Sequence, residues 1–169
     1  MSYFSISNLA NQLGSEKLIV SNLKKSYPDW NVKDVLKKTG IKKLYISNKN
    51  EDVLTLSVKS CKKTLQNFNK KKIDCVIVVT QTAKNKLPSV SCMLQDRLNL
   101  RKDIIAFDVG LGCSGFVYGL SIINSLLNSN TVKTVLFICC DTYNKFLNKQ
   151  NRTCRTIFSD AASSCIVQK

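Results

Sequence analysis

Leu54, Val58, Cys61, Leu65 and Phe68 recur at alternating four- and three-residue steps, and Lys59, Lys62 and Lys63 fall off that stripe. This spacing predicts an amphipathic helix over 51–69 on an outer layer of the fold. Asn50 reads as its N-cap, with Glu51 and Asp52 bringing negative charge to the positive end of the helix dipole. Lys70, Lys71 and Lys72 read as a solvated helix end. The next run, Ile73-Asp74-Cys75-Val76-Ile77-Val78-Val79, is almost wholly apolar and predicts a strand buried on both faces.

Pro88 and Ser89 open a short helix through Leu98, and 103–109 predicts a second buried strand. A helix over 115–129 and a strand over 132–140 complete the alternation, which implies a three-layer α/β unit on a largely parallel sheet. Phe116, Val117, Leu120, Ile122, Ile123, Leu126 and Leu127 leave the 115–129 helix almost no polar face. One sheet covers one side of a helix, so a second layer from another domain or another chain is expected. No repeat, low-complexity stretch or Pro/Gly-rich linker divides the chain, and Pro28 and Pro88 fall in loops, so 1–169 is read as a single domain.

A chain of 169 residues can bury a core of its own. No window approaches the roughly 18 uninterrupted apolar residues of a membrane span, so no membrane association is expected. The opening MSYFSISNLANQL has neither the basic start nor the apolar run of a secretory signal, and a cytoplasmic location is expected. The eight cysteines are scattered, without a Cys-x-x-Cys, and the chain has no histidine. They are therefore read as reduced thiols, with no metal site. The net charge of +15 raises a basic nucleic-acid or partner-binding module as an alternative. Most of that charge is dispersed lysine, arginine occurring only at Arg97, Arg101, Arg152 and Arg155, and no nucleic-acid partner is expected. A basic surface also suits an acidic protein or a phosphorylated carrier through long-range steering.

The segment Gly110-Leu111-Gly112-Cys113-Ser114-Gly115 joins a predicted strand to the apolar helix and supports two readings. In the first, Gly110-x-Gly112-x-x-Gly115 is a dinucleotide-binding fingerprint of a Rossmann-type domain, with Asp141 placed to bind a ribose hydroxyl. In the second, the glycines permit a sharp strand-to-helix turn and Cys113 is a nucleophile whose thiolate the helix dipole favours. Its own N–H would then help to hold an oxyanion. Cys61, Cys75, Cys92 and Cys165 are read as small buried gap-fillers.

Several segments in order decide between these readings. Thr39-Gly40-Ile41, Leu87-Pro88-Ser89, Phe107-Asp108-Val109 through Cys113-Ser114-Gly115-Phe116, Tyr118-Gly119-Leu120, Asn151-Arg152 and Phe158-Ser159-Asp160-Ala161-Ala162 resemble the motifs of β-ketoacyl-acyl-carrier-protein synthase III almost end to end. The resemblance implies the thiolase-like fold, here one three-layer α/β/α half with a five-stranded, mostly parallel mixed sheet. It implies an acyltransferase whose cysteine, Cys113 by position, is acylated from acyl-coenzyme A and then condensed with malonyl-carrier protein. Lys38 stands at the family's coenzyme A-binding arginine, Arg152 at the arginine that packs on adenine, and Leu87 at the residue that enters the partner subunit's acyl pocket. Trp30 is the candidate for stacking on adenine, although it lies four residues earlier than the family's tryptophan. A homodimer is implied, with coenzyme A thioester as substrate and no cofactor.

There are departures from the family. Leu44 replaces a common arginine, and Ser159 and Ala161 replace glycines. The Pro-Asp-Trp segment at 28–30 looks closer to divergent synthase III-like proteins of surface-polysaccharide or secondary pathways. Family members are about twice as long, and the histidine and asparagine that activate the malonyl donor belong to their second half. The chain is thus expected to be an N-terminal half that does not condense alone, since each such donor is worth about 10²- to 10³-fold.

Overall fold

The computed structural model describes residues 4–169. The N-terminal signal reading therefore includes three residues, 1–3, that lie outside the described part. In chain order the elements are β1 (Ser5–Leu13), β2 (Glu16–Ile19), α1 (Leu23–Ser26), α2 (Val32–Thr39), β3 (Lys43–Ile46), α3 (Val53–Thr64), β4 (Cys75–Val79), α4 (Val90–Arg97), β5 (Ile105–Val109), α5 (Gly115–Asn128), β6 (Thr134–Asp141), α6 (Arg152–Arg155) and β7 (Ala161–Gln168).

The main sheet has the order β1-β7-β6-β4-β5. β4 pairs in parallel with both β5 and β6, and β7 is antiparallel to β6 and β1, so β7 alone runs against the other strands. Side chains alternate across this sheet as the period of two requires. Val76, Val78, Leu136 and Ile138 face one core with α3 and α4, and Cys75, Ile77, Val135 and Phe137 face a second core with α5. Helices thus cover both faces, in the three expected layers. Among the described residues no helix is long and apolar enough to cross a membrane.

β4 is buried throughout, as its sequence predicts. β5 is only half-buried along its length, because it is the last strand of the sheet and has a neighbour on one side alone. The α3 expectation needs larger correction. Its N-cap is Asp52 and not Asn50: the Asp52 carboxylate accepts from Thr55 N, and Thr55 Oγ1 accepts from Asp52 N, a reciprocal capping box. The helix ends at Thr64, and Lys70–Lys72 form a separate 3-10 turn. The face turned inward holds Val53, Leu56, Ser57, Ser60, Cys61 and Thr64, with Leu54 and Val58 only half-buried at its flank. Two of its hydroxyl side chains are accommodated there by pairing: Ser60 and Thr64 each contact Ser164 Oγ of β7 at 2.7 Å, whereas the buried Ser57 Oγ has no hydrogen-bond partner among the described residues.

β2 and β3 form an antiparallel pair that encloses a smaller core with α1 and α2, built on Val20, Leu23, Val32 and Leu44. Leu44, at the position of the family's arginine, is 2% exposed and belongs to this core. The unit is tied to the main sheet through Asp160, whose buried carboxylate accepts from Ser47 N at 2.8 Å and Asn144 N at 3.0 Å. Gly14 is required at the junction, where a Cβ would lie 2.5 Å from the Ile46 carbonyl carbon.

Candidate active site

Three loops meet at the carboxyl ends of the parallel strands β4, β5 and β6, the end where α/β sheets bind ligands. Asp141, the last residue of β6, organises two of them. Its Oδ1 accepts from Thr80 Oγ1 (3.1 Å), Gln81 N (2.8 Å), Thr82 N (3.0 Å) and Thr82 Oγ1 (2.8 Å), and Thr142 N donates to Thr82 Oγ1 at 2.8 Å. The loop after β4 is thereby fixed to the loop after β6.

The third loop is the turn from β5 into α5. Leu111 N donates to Val109 O and Gly115 N to Gly112 O, which folds the turn tightly and leaves Cys113 exposed one residue before the N-cap Ser114. Gly112 and Gly115 serve close approach and not backbone reversal, since among the described residues only Gly40 is a glycine of positive φ, whereas a Cβ on Gly110 would meet open space. A Cβ on Gly115 would fall 2.3 Å from Val79 Cγ1, and one on Gly119 would fall 2.4 Å from the Phe137 ring. Together they seat α5 directly on β4 and β6. The first turn of α5 is nevertheless bare, with Phe116 45%, Val117 68% and Tyr118 59% exposed, as expected of a helix that needs a second covering layer.

Beside the turn stand two residues that sequence reading passed over. Gln81 Oε1 lies 2.6 Å from where a Gly112 Cβ would be, and the Tyr143 hydroxyl donates to that same oxygen. Tyr143 in turn packs on Phe158, with ring centroids 5.0 Å apart. The polar run Thr80-Gln81-Thr82, directly after an all-apolar strand, was the available signal.

The other thiols divide by burial. Burial pushes Cys61, Cys75 and Cys139 up to about 12 and Cys165 to about 11, out of reach of ionisation near neutrality. Cys92, expected to be a buried gap-filler, is instead exposed on the outer side of α4, whose inward positions are Val90, Ser91 and Leu94.

Lys38 and Arg152 line one shallow depression of about 190 Å³ with Thr39, Thr153 and Thr156. The Lys38 ammonium also pairs with Asp34 at 3.0 Å on the same helix. Trp30 does not join them. Its ring stacks on Tyr27 at 4.1 Å and lines a separate depression with Lys24 and Lys33. Leu87 projects from the loop before α4 and is 86% exposed.

The dinucleotide reading fails on this geometry. The acidic residue must end the strand next to the glycine turn, but β4 lies between β5 and β6, and Asp141 Oδ1 already accepts four hydrogen bonds.

Comparison with known proteins points to one family. Residues 107–169 match the family model for 3-oxoacyl-[acyl-carrier-protein] synthase III. This chain is β-ketoacyl-acyl-carrier-protein synthase III-like. It is 36% identical over 136 residues to the β-ketoacyl-[acyl-carrier-protein] synthase III of Neorickettsia sennetsu, covering 79% of this chain and 43% of that protein. The Coxiella burnetii protein of the same name is 30% identical over 174 residues, covering 99% of the chain and 53% of the relative. Among solved structures, a 3-oxoacyl-(acyl-carrier-protein) synthase III superposes with a TM-score of 0.93 at 35% identity, over 98% of this chain and 50% of that one. The Aquifex aeolicus synthase III superposes at 0.91 with 27% identity, over 99% and 54%. The synthase III-like chain thus has a thiolase-like half-fold and spans about half the length of the relatives that it matches.

Proposed function

We propose that this chain is the nucleophile-bearing N-terminal half of a synthase III-type acyltransferase, with Cys113 as the acyl acceptor. The Cys113 thiolate attacks the thioester carbonyl of an acyl-coenzyme A. A new carbon–sulfur bond forms at Cys113, the bond to coenzyme A breaks, and the departing thiolate takes up a proton. The acyl group then condenses with malonyl-carrier protein as carbon dioxide leaves and the Cys113 thiolate is released. That second step needs donors from a second half, because this chain contains no histidine. The observation that carries the reading is an exposed thiol on the strand-to-helix turn, followed at once by the bare apolar residues Phe116, Val117 and Tyr118.

In this reading Lys38 and Arg152 hold the phosphate and adenine end of coenzyme A, and the depression that both line supports it. Leu87 reaches toward a partner subunit's acyl pocket in a homodimer, and the net charge of +15 attracts an acidic carrier protein in the cytoplasm. Trp30 is left out of the coenzyme A site because its ring is occupied by Tyr27. Incubation with labelled acetyl-coenzyme A, followed by peptide mapping, is expected to find a thioester on Cys113 that disappears in Cys113→Ala. Label on another cysteine, label persisting in that variant, or no label at saturating thioester would each count against acyl loading here.

A further inference from the structure

We propose that Gln81 and Tyr143 are positioning residues that hold the Cys113 turn in its reactive geometry. The inference rests on the nucleophile reading and adds to it the part of the protein that aims the thiol. Three strands deliver the participants. The loop after β4 brings Gln81, the loop after β6 brings Tyr143, and the turn after β5 brings Gly112 and Cys113. Gln81 cannot drift, because its backbone N–H is held by Asp141 and its neighbour Thr82 is bonded to both Asp141 and Thr142.

From that anchored backbone the Gln81 carboxamide reaches across to Gly112 and fills the space that a side chain would take there. The Tyr143 hydroxyl donates to the carboxamide oxygen and so orients it. Phe158 backs the tyrosine ring in turn. The phenol stays protonated and able to donate: burial first, then the charges of Asp141 and Cys113, push its pKa above the ordinary tyrosine value.

Asp141 through Gln81 to Gly112 is therefore a continuous chain of contacts ending on the residue before the nucleophile. A hydrogen bond that positions without touching substrate is worth about a kilocalorie per mole, or about fivefold in rate. The test is alkylation by iodoacetamide of the intact protein, with the rate at each cysteine read by peptide mapping and exposed Cys92 as an internal reference. In the unaltered protein Cys113 is expected to react faster than Cys92. Tyr143→Phe and Gln81→Ala are each expected to slow Cys113 about fivefold, the double variant no further, and Cys92 not at all. Gln81→Glu supplies a readout that a merely structural role would not move. A carboxylate against Gly112 opposes the thiolate, so the pH at which Cys113 alkylation reaches half its plateau rises, while that of Cys92 stays fixed. Fast Cys113 alkylation that none of these variants alters would overturn the positioning role and leave the nucleophile reading intact. Cys113 reacting no faster than Cys92 in the unaltered protein would remove both.

Discussion

Replacing Glu51 with glutamine tests how the unit that carries Lys38 is fastened to the sheet. Glu51 is 4% exposed, and its carboxylate accepts from Ser15 N at 2.9 Å, Asn48 N at 3.3 Å and Lys59 Nζ at 2.9 Å. These partners join the start of β2, the end of β3 and the first turns of α3. Burial alone would push the carboxyl up, but the Lys59 ammonium and the Ser15 and Asn48 donors outweigh it and hold it at about 2 against an ordinary 4.5. That difference corresponds to at most roughly 3 kcal/mol. Lys59 is 51% exposed, so solvent screening reduces the expected contribution to about 1–2 kcal/mol.

The sign follows from the depressed value. The stabilisation is fully present above 4.5, the unfolded value, and is lost as pH falls from there toward 2. Urea unfolding should find Glu51→Gln weaker by about 1–2 kcal/mol at pH 7, with the gap to the unaltered protein narrowing through pH 4 and closing near pH 2. A gap of the same size at every pH would mean that Glu51 acts through shape and not charge, and the reasoning would fall.

Three further substitutions have expected outcomes. Gly119→Val drives a branched side chain into the Phe137 ring, where a Cβ already falls at 2.4 Å, and thermal unfolding should show a loss of about 1–3 kcal/mol. Asp52→Ala should cost about 1 kcal/mol in urea unfolding while Asn50→Ala changes little, because the α3 cap is Asp52. Arg152→Ala should raise the acyl-coenzyme A concentration for half-maximal loading of Cys113 about tenfold, and Trp30→Ala should leave it nearly unchanged.

The elements legible in the sequence were those whose burial is uniform. β4 and β6 are apolar runs buried almost throughout, so no face had to be guessed, and α5 was legible as a strongly apolar helix although only Gly115, Gly119, Ile123 and Leu127 of it are buried. α3 was legible as a helix but not in orientation, since its inward face carries Ser57, Ser60 and Thr64, and the partners of Ser60 and Thr64 lie across the sheet on β7. β1 left no pattern because it is an edge strand with five consecutive exposed residues at its start. At the site, Cys113 and its glycines are contiguous and could be read directly. Gln81 and Tyr143 lie 62 residues apart and meet only because β4 and β6 are adjacent, which no local pattern encodes.

The glycines of α5 join fold and chemistry. Gly115 and Gly119 remove the side chains that would hold the helix off the sheet, so Phe137 packs beneath it and Phe116 stacks on Phe137 with centroids 5.7 Å apart. That arrangement uses one face of the helix and turns Val117 and Tyr118 outward, within the first turn after the N-cap Ser114. Large apolar side chains left in water are costly, about 25 cal/mol for each Å² of apolar surface that a second layer would otherwise cover. The outward-facing Val117 and Tyr118 lie only four and five residues beyond exposed Cys113, so a layer that covers them is expected to come close to the thiol. A layer that completes the hydrophobic core over this turn is therefore expected to lower the exposure of the Cys113 thiol as well.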